Sequence, residues 1–214
     1  MPKTSHIAKV VLLGLFTLFI LSCKDTSSRF ELMKPSTTGV AFNNELSYTE
    51  AFNPYTYRNF YNGAGVALGD INNDGLIDIY FTGNLVNNAL YLNRGDFKFE
   101  EIAETAGVAC KNIWSSGATF VDINQDGWLD LYVCKSGMPG GENRHNELFI
   151  NQKNNTFKEA SAEYGLDITG LSVQAAFFDY DLDGDLDCYL LNNSMRSVGA
   201  VSYTHLTLPT TPYV

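Results

Sequence analysis

The sequence predicts an all-β protein built from repeats of just over 50 residues. Three acidic loops, at residues 70–78, 122–130 and 179–187, begin 52 and then 57 residues apart. The segments between them are short, rich in Tyr, Phe, Val, Ile and Leu, and bounded by Gly, Asn and Asp, which is typical of strands. Four such segments per repeat are the content of one four-stranded blade of a β-propeller.

The four predicted strands occupy matching positions in each repeat. One strand precedes the acidic loop, one follows it, a third contains the pattern Asn-x-Leu, and a fourth contains Phe-x-Glu. We expect these strands at 65–69, 79–82, 88–93 and 99–101 in the first repeat, and at 117–121, 131–134, 146–151 and 157–159 in the second. Helical turns are expected at 102–106 and 160–164.

The repeats are incomplete at both ends and interrupted once. Residues 30–40 echo the end of a later repeat, with Phe-Glu followed by Gly-Val. Residues 42–61 are additional to the repeat and are expected to form a decorated loop, and 137–142 are a Gly-rich insertion expected at the surface. The third repeat lacks its third and fourth segments. The propeller region is therefore expected to span residues 30–199.

The acidic loops carry oxygen ligands at regular spacing. Positions 1, 3, 5 and 9 of each loop are Asp or Asn, position 6 is Gly, and eleven of the 24 acidic residues lie in these loops. Alternate side chains and the carbonyl of position 7 can converge on one point, as calcium requires; magnesium demands a stricter octahedron and zinc prefers His or Cys. The alternative is that such strings form ordinary surface turns.

Two other loop classes share part of this pattern. An EF-hand needs Glu at position 12 and flanking helices, whereas position 12 here is Phe81, Val133 and Leu190, within predicted strands. Dockerin modules share the nine-residue loop but repeat at about half this spacing. The three repeated loops therefore predict about three structural Ca²⁺ sites in a β-repeat protein.

Charge and cysteine content exclude several functions. The chain has 214 residues, 14 Lys and Arg, 24 Asp and Glu, and a net charge of -10. Nucleic acid is therefore not an expected partner, because neutralising phosphates needs a basic face. No CxxC motif occurs among the four cysteines, so a paired zinc site is not predicted. Pairing of Cys110 with Cys134 is left open.

Residues 1–22 are predicted to be a signal peptide. They contain no acid, and an uncharged run at 10–20 is too short to span a bilayer. The run ends at Cys23 in a sequence that resembles a bacterial lipobox, which implies a lipid anchor at Cys23 and a tether at 23–29; ordinary signal cleavage is the alternative. Lys24-Asp25 resembles the export signal of surface lipoproteins of Bacteroidetes. We expect an exported outer-membrane or cell-surface lipoprotein of a Gram-negative bacterium.

The repeat pattern resembles the FG-GAP/VCBS-repeat β-propeller family, particularly exported lipoproteins of the ASPIC/UnbV group. The resemblance rests on Gly-x-Ala-x-x-Asp-x-Asn-x-Asp-Gly-x-x-Asp, then Asn-x-Leu-Tyr-x-Asn, then Phe-x-Glu. It implies calcium loops between the first two strands of each blade. The implied side-chain ligands are Asp70, Asn72, Asp74, Asp78, Asp122, Asn124, Asp126, Asp130, Asp179, Asp181, Asp183 and Asp187. The position-7 carbonyls are those of Leu76, Trp128 and Asp185.

The family's propellers have about seven blades, so the chain is expected to hold about two and a half to three of them. Residues 200–214 contain no Asp, Glu, Lys or Arg and match no repeat. They are interpreted as a tail that is not native, in a fragment truncated at its C-terminus; a short genuine extension is the alternative.

Three functional hypotheses follow. The first is a calcium-stabilised, surface-anchored module for binding, adhesion or scaffolding, with a protein or glycan ligand that is unknown. The second is a propeller-type hydrolase or lyase whose site lies in missing blades; it has little support, since His145 is the one conventional base outside the signal and the tail. The third is a partner subunit of an outer-membrane uptake complex. No catalytic residue is predicted, and the expectation is that the protein is not an enzyme.

Overall fold

The computed structural model describes residues 30–111, 113–136 and 144–193. The signal peptide, Cys23, the tether, the insertion at 137–142 and the tail at 200–214 lie outside the described residues. The chain divides into two units, Met1–Lys34 and Pro35–Val214. All the helices and strands described below belong to the second unit.

Within the described residues, ten strands form three antiparallel sheets, which makes the fold all-β. The first sheet contains β1 (Val66–Gly69), β2 (Asp78–Phe81), β3 (Ala89–Asn93) and β4 (Phe99–Glu101), in that order. The second contains β5 (Ser115–Val121), β6 (Asp130–Lys135), β7 (Glu147–Asn151) and β8 (Phe157–Glu159). The third, as described, pairs β9 (Ser172–Phe178) with β10 (Asp187–Asn192). Each strand predicted from the repeat pattern is present.

Each acidic loop connects the first two strands of its sheet. Gly69 pairs with Asp78 across β1 and β2, and Val121 pairs with Asp130 across β5 and β6. In the third sheet Phe178 pairs with Asp187. The residue before the loop therefore lies opposite the last Asp of the loop, so every loop is closed at its base by antiparallel pairing.

The first strands of successive sheets lie side by side. A Cβ atom added at Gly117 would collide with the carbonyl oxygen of Val173, and one added at Gly65 would lie 2.6 Å from the carbonyl oxygen of Ser116. The Thr119 hydroxyl donates to the carbonyl of Ala175 at 2.8 Å, from β5 to β9. Glycine permits this close backbone approach because it has no Cβ atom, so the first strands of neighbouring sheets can lie against each other.

A short helix recurs at the same phase of the repeat. The helix α1 (Pro35–Thr38) is followed by Gly39 at φ 84°, and α2 (Ala103–Ala106) is followed by Gly107 at φ 81°. This left-handed glycine ends a helix without a Cβ penalty. The helix at Pro35–Thr38 therefore lies where the sequence predicts the end of an earlier repeat.

Apolar residues fill the spaces between the sheets. The largest cluster includes Tyr80, Leu90, Leu92, Leu131 and Val133, all fully buried between the first two sheets. A second cluster, with Tyr132, Cys134, Leu148 and Ala175, joins the second sheet to β9. Burial of this apolar surface is the main stabilising contribution to the fold. Among the described residues, no helix is long and apolar enough to cross a membrane.

The decorated loop at 42–61 contributes to the core. It contains a 3-10 helix at Arg58–Tyr61 and places Tyr57 and Phe60 against Trp114. The ring centroids of Phe60 and Trp114 are 5.7 Å apart. The rings of Tyr57 and Trp114 pack edge-to-face, with their centroids 5.3 Å apart. Trp114 is therefore a packing residue. Cys110, Cys134 and Cys188 are free thiols.

Candidate metal-binding loops

The three acidic loops share one hydrogen-bond scheme. The side chain of the first Asp accepts the backbone N–H groups of positions 5 and 6. The distances are 3.1 and 2.7 Å in the first loop, 2.9 and 2.8 Å in the second, and 3.2 and 3.1 Å in the third. These bonds wrap the backbone around the first carboxylate, so the oxygens at later positions turn toward it.

The loop backbone takes a left-handed conformation at two positions. Glycine at position 6 has φ of 85°, 83° and 97° in the three loops, as the sequence predicts. Position 4 is also left-handed, at Asn73 (58°), Gln125 (56°) and Leu182 (64°). Asn tolerates this region better than most residues, and Leu does not. Residue preference at position 4 therefore could not have revealed this feature.

Oxygen atoms from different positions converge in each loop. Asp70 Oδ1 and Asn72 Oδ1 both accept the N–H of Asp74, at 3.1 and 3.2 Å. The second loop repeats the arrangement at 2.9 and 3.0 Å. In the third loop, oxygens of Asp179, Asp181 and Asp187 lie within 4.8 Å of one another. Positions 1 and 3 are therefore adjacent in the first two loops, and positions 1, 3 and 9 in the third.

The last Asp of the first two loops is buried and anchored by backbone amides. Asp78 accepts the N–H groups of Ile71 at 3.0 Å and Asn93 at 2.8 Å, and Asp130 has the same bonds to Ile123 and Asn151, at 3.2 and 2.8 Å. Both are 0% exposed. Burial raises the pKa of both carboxyls, helped by the charges of the other loop acids, and that of Asp130 reaches about 6.

The donor set fits calcium. All the side-chain donors are carboxylate or amide oxygens, the class that calcium selects. Two ligands on opposite sides of one calcium ion lie about 4.6–5.2 Å apart. The three carboxylate oxygens of the third loop lie within 4.8 Å of one another, so they are close enough to share one ion. In that loop the pKa of Asp185 is raised by its hydrogen bond to Asp183 and by that residue's charge, a repulsion that a divalent cation would relieve.

Position 7 folds back over position 5 in every loop. The N–H groups of Leu76, Trp128 and Asp185 donate to the carboxylates of Asp74, Asp126 and Asp183, at 2.8, 3.0 and 3.1 Å. The contribution of the position-7 carbonyls to a metal site stays a prediction from the sequence.

Two sets of contacts at the loops were not foreseen from the sequence. Position 4 of one loop binds the next loop: Asn73 Nδ2 donates to the carbonyl of Gly127 at 3.0 Å, and Gln125 Nε2 donates to the carbonyl of Gly184 at 2.9 Å.

Lys153, in the turn between β7 and β8, places its ammonium 3.1 Å from Asp126 Oδ2. An alignment of the two repeats would have shown that Lys153 differs from its counterpart, because Gly95 occupies the same position in the first repeat.

The described cysteines are not activated nucleophiles. Burial raises the pKa of the Cys110, Cys134 and Cys188 thiols, which favours the unreactive protonated form. His145 lies in an isolated backbone bridge with Thr169. These residues therefore give the enzyme hypothesis no support.

Comparison with known proteins supports the repeat assignment. A sequence model described as "FG-GAP-like repeat" matches residues 70–133, which include the first two acidic loops. Cartilage acidic protein 1 of Xenopus tropicalis is 29% identical over 142 residues, covering 64% of this chain and 21% of that protein. The same protein of Homo sapiens is 28% identical over 142 residues, covering 64% and 20%. The chain spans about a fifth of the length of these curated relatives. It therefore carries an FG-GAP-like repeat, and the resemblance to FG-GAP-repeat proteins that its sequence predicts is confirmed.

Proposed function

We propose that the protein is a calcium-binding β-propeller lipoprotein, anchored at the cell surface, that serves as a binding, adhesion or scaffold module. The observation that carries the calcium assignment is the common geometry of the three loops. Each wraps its first carboxylate with two backbone amides, and the third gathers three carboxylates within 4.8 Å. Calcium would be structural here, since each ion would stabilise the hairpin that begins its own blade.

A structural role fits the position of the loops. Each loop is covalently continuous with two paired strands, and its last Asp bonds backbone amides of its own sheet in the first two repeats. An ion would offset the repulsion between carboxylates that the fold holds together. Affinities in the range of extracellular calcium modules, roughly micromolar to millimolar, would suffice in an exported protein.

The surface location rests on the sequence before residue 30. A signal peptide at 1–22 and lipidation at Cys23 would export the chain and tether it through residues 23–29. Two or more acyl chains give stable anchoring. The proposed setting is the outer membrane or cell surface of a Gram-negative bacterium, where calcium is available.

A protein or glycan ligand is favoured over nucleic acid by the net charge of -10. The loop at 42–61 offers a contact surface for such a ligand. Tyr48, Tyr55 and Tyr61 are 72%, 100% and 68% exposed and line one shallow depression. Exposed aromatic rings are common anchors in binding surfaces.

Calcium titration tests the central claim. Isothermal calorimetry and thermal unfolding, with calcium and with a chelator, should give binding heat and a higher melting temperature with calcium. Asp74→Ala and Asp126→Ala should each remove about one equivalent of binding. Asp167→Ala, an exposed acid outside the loops, is the control that should bind like the parent. Absence of both heat and a melting shift in the parent would refute the proposal.

A further inference from the structure

Lys153 supplies a cation to the second acidic loop. Its Nζ atom lies 3.1 Å from Asp126 Oδ2 and 6.0 Å from the centre of the Trp128 ring. Asp126 occupies position 5 of the loop, and its other oxygen accepts the N–H of Trp128 at 3.0 Å. The ammonium group of Lys153 therefore forms an ion pair with one carboxylate oxygen of the predicted metal site.

The lysine is held in place by the loop and by the turn that carries it. The N–H of Lys153 donates to Asn151 Oδ1 at 2.8 Å, and Asn151 Nδ2 donates to the carbonyls of Ile71 and Leu129 at 2.8 and 3.0 Å. The backbone of Asn151 also donates to Asp130. The turn is thus anchored to the base of the second loop, so the lysine is pre-positioned beside Asp126.

The first loop provides a natural comparison. Gly95 stands at the matching position, with the same left-handed backbone and the same bond from its N–H to Asn93 Oδ1, at 2.9 Å. In the first loop the outer oxygen of Asp74 is bonded by Asn72 Nδ2 at 3.0 Å, a neutral donor. The two loops therefore share their backbone and differ in the charge brought to position 5.

We propose that Lys153 is a tethered counter-ion that weakens calcium binding at the second loop relative to the first. The proposal rests on the calcium-binding function proposed above and assigns a tuning residue to one of its sites. A divalent ion entering the second loop must displace the ammonium from Asp126 or bind beside a like charge. Either event costs free energy that the first loop does not incur.

Terbium luminescence can read the second loop separately. Tb³⁺ takes the place of Ca²⁺ at oxygen sites, and excitation at the red edge of the tryptophan band would sensitise it through Trp128, at position 7 of this loop. Trp114 lies at the far end of the seven-residue strand β5, about 20 Å away, so its contribution is small. Asp122→Ala identifies the part of the signal that arises in the second loop.

Removing the lysine charge should tighten binding. Lys153→Gln and Lys153→Gly should each lower the Tb³⁺ dissociation constant, and the Ca²⁺ constant from competition, by about two- to fivefold, the range for an exposed ion pair. The glycine variant reproduces the first repeat. Lys153→Arg keeps the charge and should bind like the parent. Lys158→Gln removes an equal charge from the same hairpin, where that lysine bonds Glu163, and should also bind like the parent.

The outcomes separate the two proposals. If Asp122→Ala removes the signal but Lys153→Gln and Lys153→Gly bind no tighter than Lys158→Gln, the counter-ion role is wrong and the calcium function stands. If Lys158→Gln tightens binding as much as Lys153→Gln and Lys153→Gly do, the effect is one of net charge and the assignment to Lys153 is again wrong. If no calcium-competed terbium signal appears in the parent, both proposals fail.

Discussion

The second and third acidic loops have closely matched hydrogen bonds but different surroundings. Asp130, the last residue of the second loop, is fully buried and accepts an N–H from Asn151 at the end of β7. Asp187, its counterpart in the third loop, accepts the N–H of Tyr180 at 2.8 Å. Among the described residues, β10 pairs with β9 alone, so no third strand covers Asp187.

The difference shows that the nine-residue loop sets the direction of its oxygens but not their electrostatic environment. The loop sequence wraps the backbone in the same way in both cases. The last Asp is buried by the third strand of its repeat. In the second repeat this strand, β7, ends about 20 residues after Asp130 in the chain. The loop alone therefore indicates which atoms converge, whereas the rest of the blade determines burial, which raises the pKa of Asp130.

The largest effect is expected from removing the last Asp. Asp130→Ala would leave the buried amides of Ile123 and Asn151 without an acceptor, costing about 2–4 kcal/mol of unfolding free energy. Asp187→Ala should cost about 1 kcal/mol or less, because it loses one amide bond in a less covered place. Urea denaturation in a chelator measures both. Equal losses would show that the cover by β7 does not matter.

A smaller effect is expected from pH. The pKa of Asp130 is about 6 in the folded chain, against an ordinary value of 3.8, because of burial. Between these values the folded state binds more protons than the unfolded state, so in a chelator the unfolding free energy should fall as pH rises from 4 to 6. Calcium affinity should rise over the same range, because the ion needs the ionised carboxylate.

Asp130→Asn tests this pH dependence. The amide keeps an acceptor oxygen but cannot titrate, so the fall in stability between pH 4 and 6 should be reduced. The remainder is expected from Asp78, whose pKa is raised by burial in the same way. Stability curves followed by tryptophan fluorescence give the comparison. An unchanged slope in the variant would assign the titration to other groups.

The smallest effect is expected at the bond that joins the two loops. Gln125→Ala removes the donor to the carbonyl of Gly184 and should lower the unfolding free energy by about 0.5–1 kcal/mol, since the bond is exposed. Gln125→Asn has a shorter side chain with the same amide and should not restore the loss. Chemical denaturation with both variants measures this. A fully stable alanine variant would show that the bond contributes nothing.

Much of the fold could be predicted because the repeat is visible in the sequence. The Gly at position 6 and the alternation of short apolar segments place each loop in a hairpin, and the register from Gly69 to Asp78 bears this out. Burial of Asp78 and Asp130 could not be predicted, because it depends on strands that approach from elsewhere in the blade. The packing of Tyr57 and Phe60 against Trp114 is likewise a long-range contact in a segment outside the repeat.

The bonds from loop to loop depend on the amide side chain at position 4. Asn73 and Gln125 each have a donor that reaches the following loop. Leu182 has the same left-handed backbone in the third loop, but its side chain is hydrocarbon and 86% exposed. The bonds therefore run in one direction, from the first loop to the second and from the second to the third. Because a leucine side chain has no hydrogen-bond donor, Leu182 cannot form the equivalent bond to another loop.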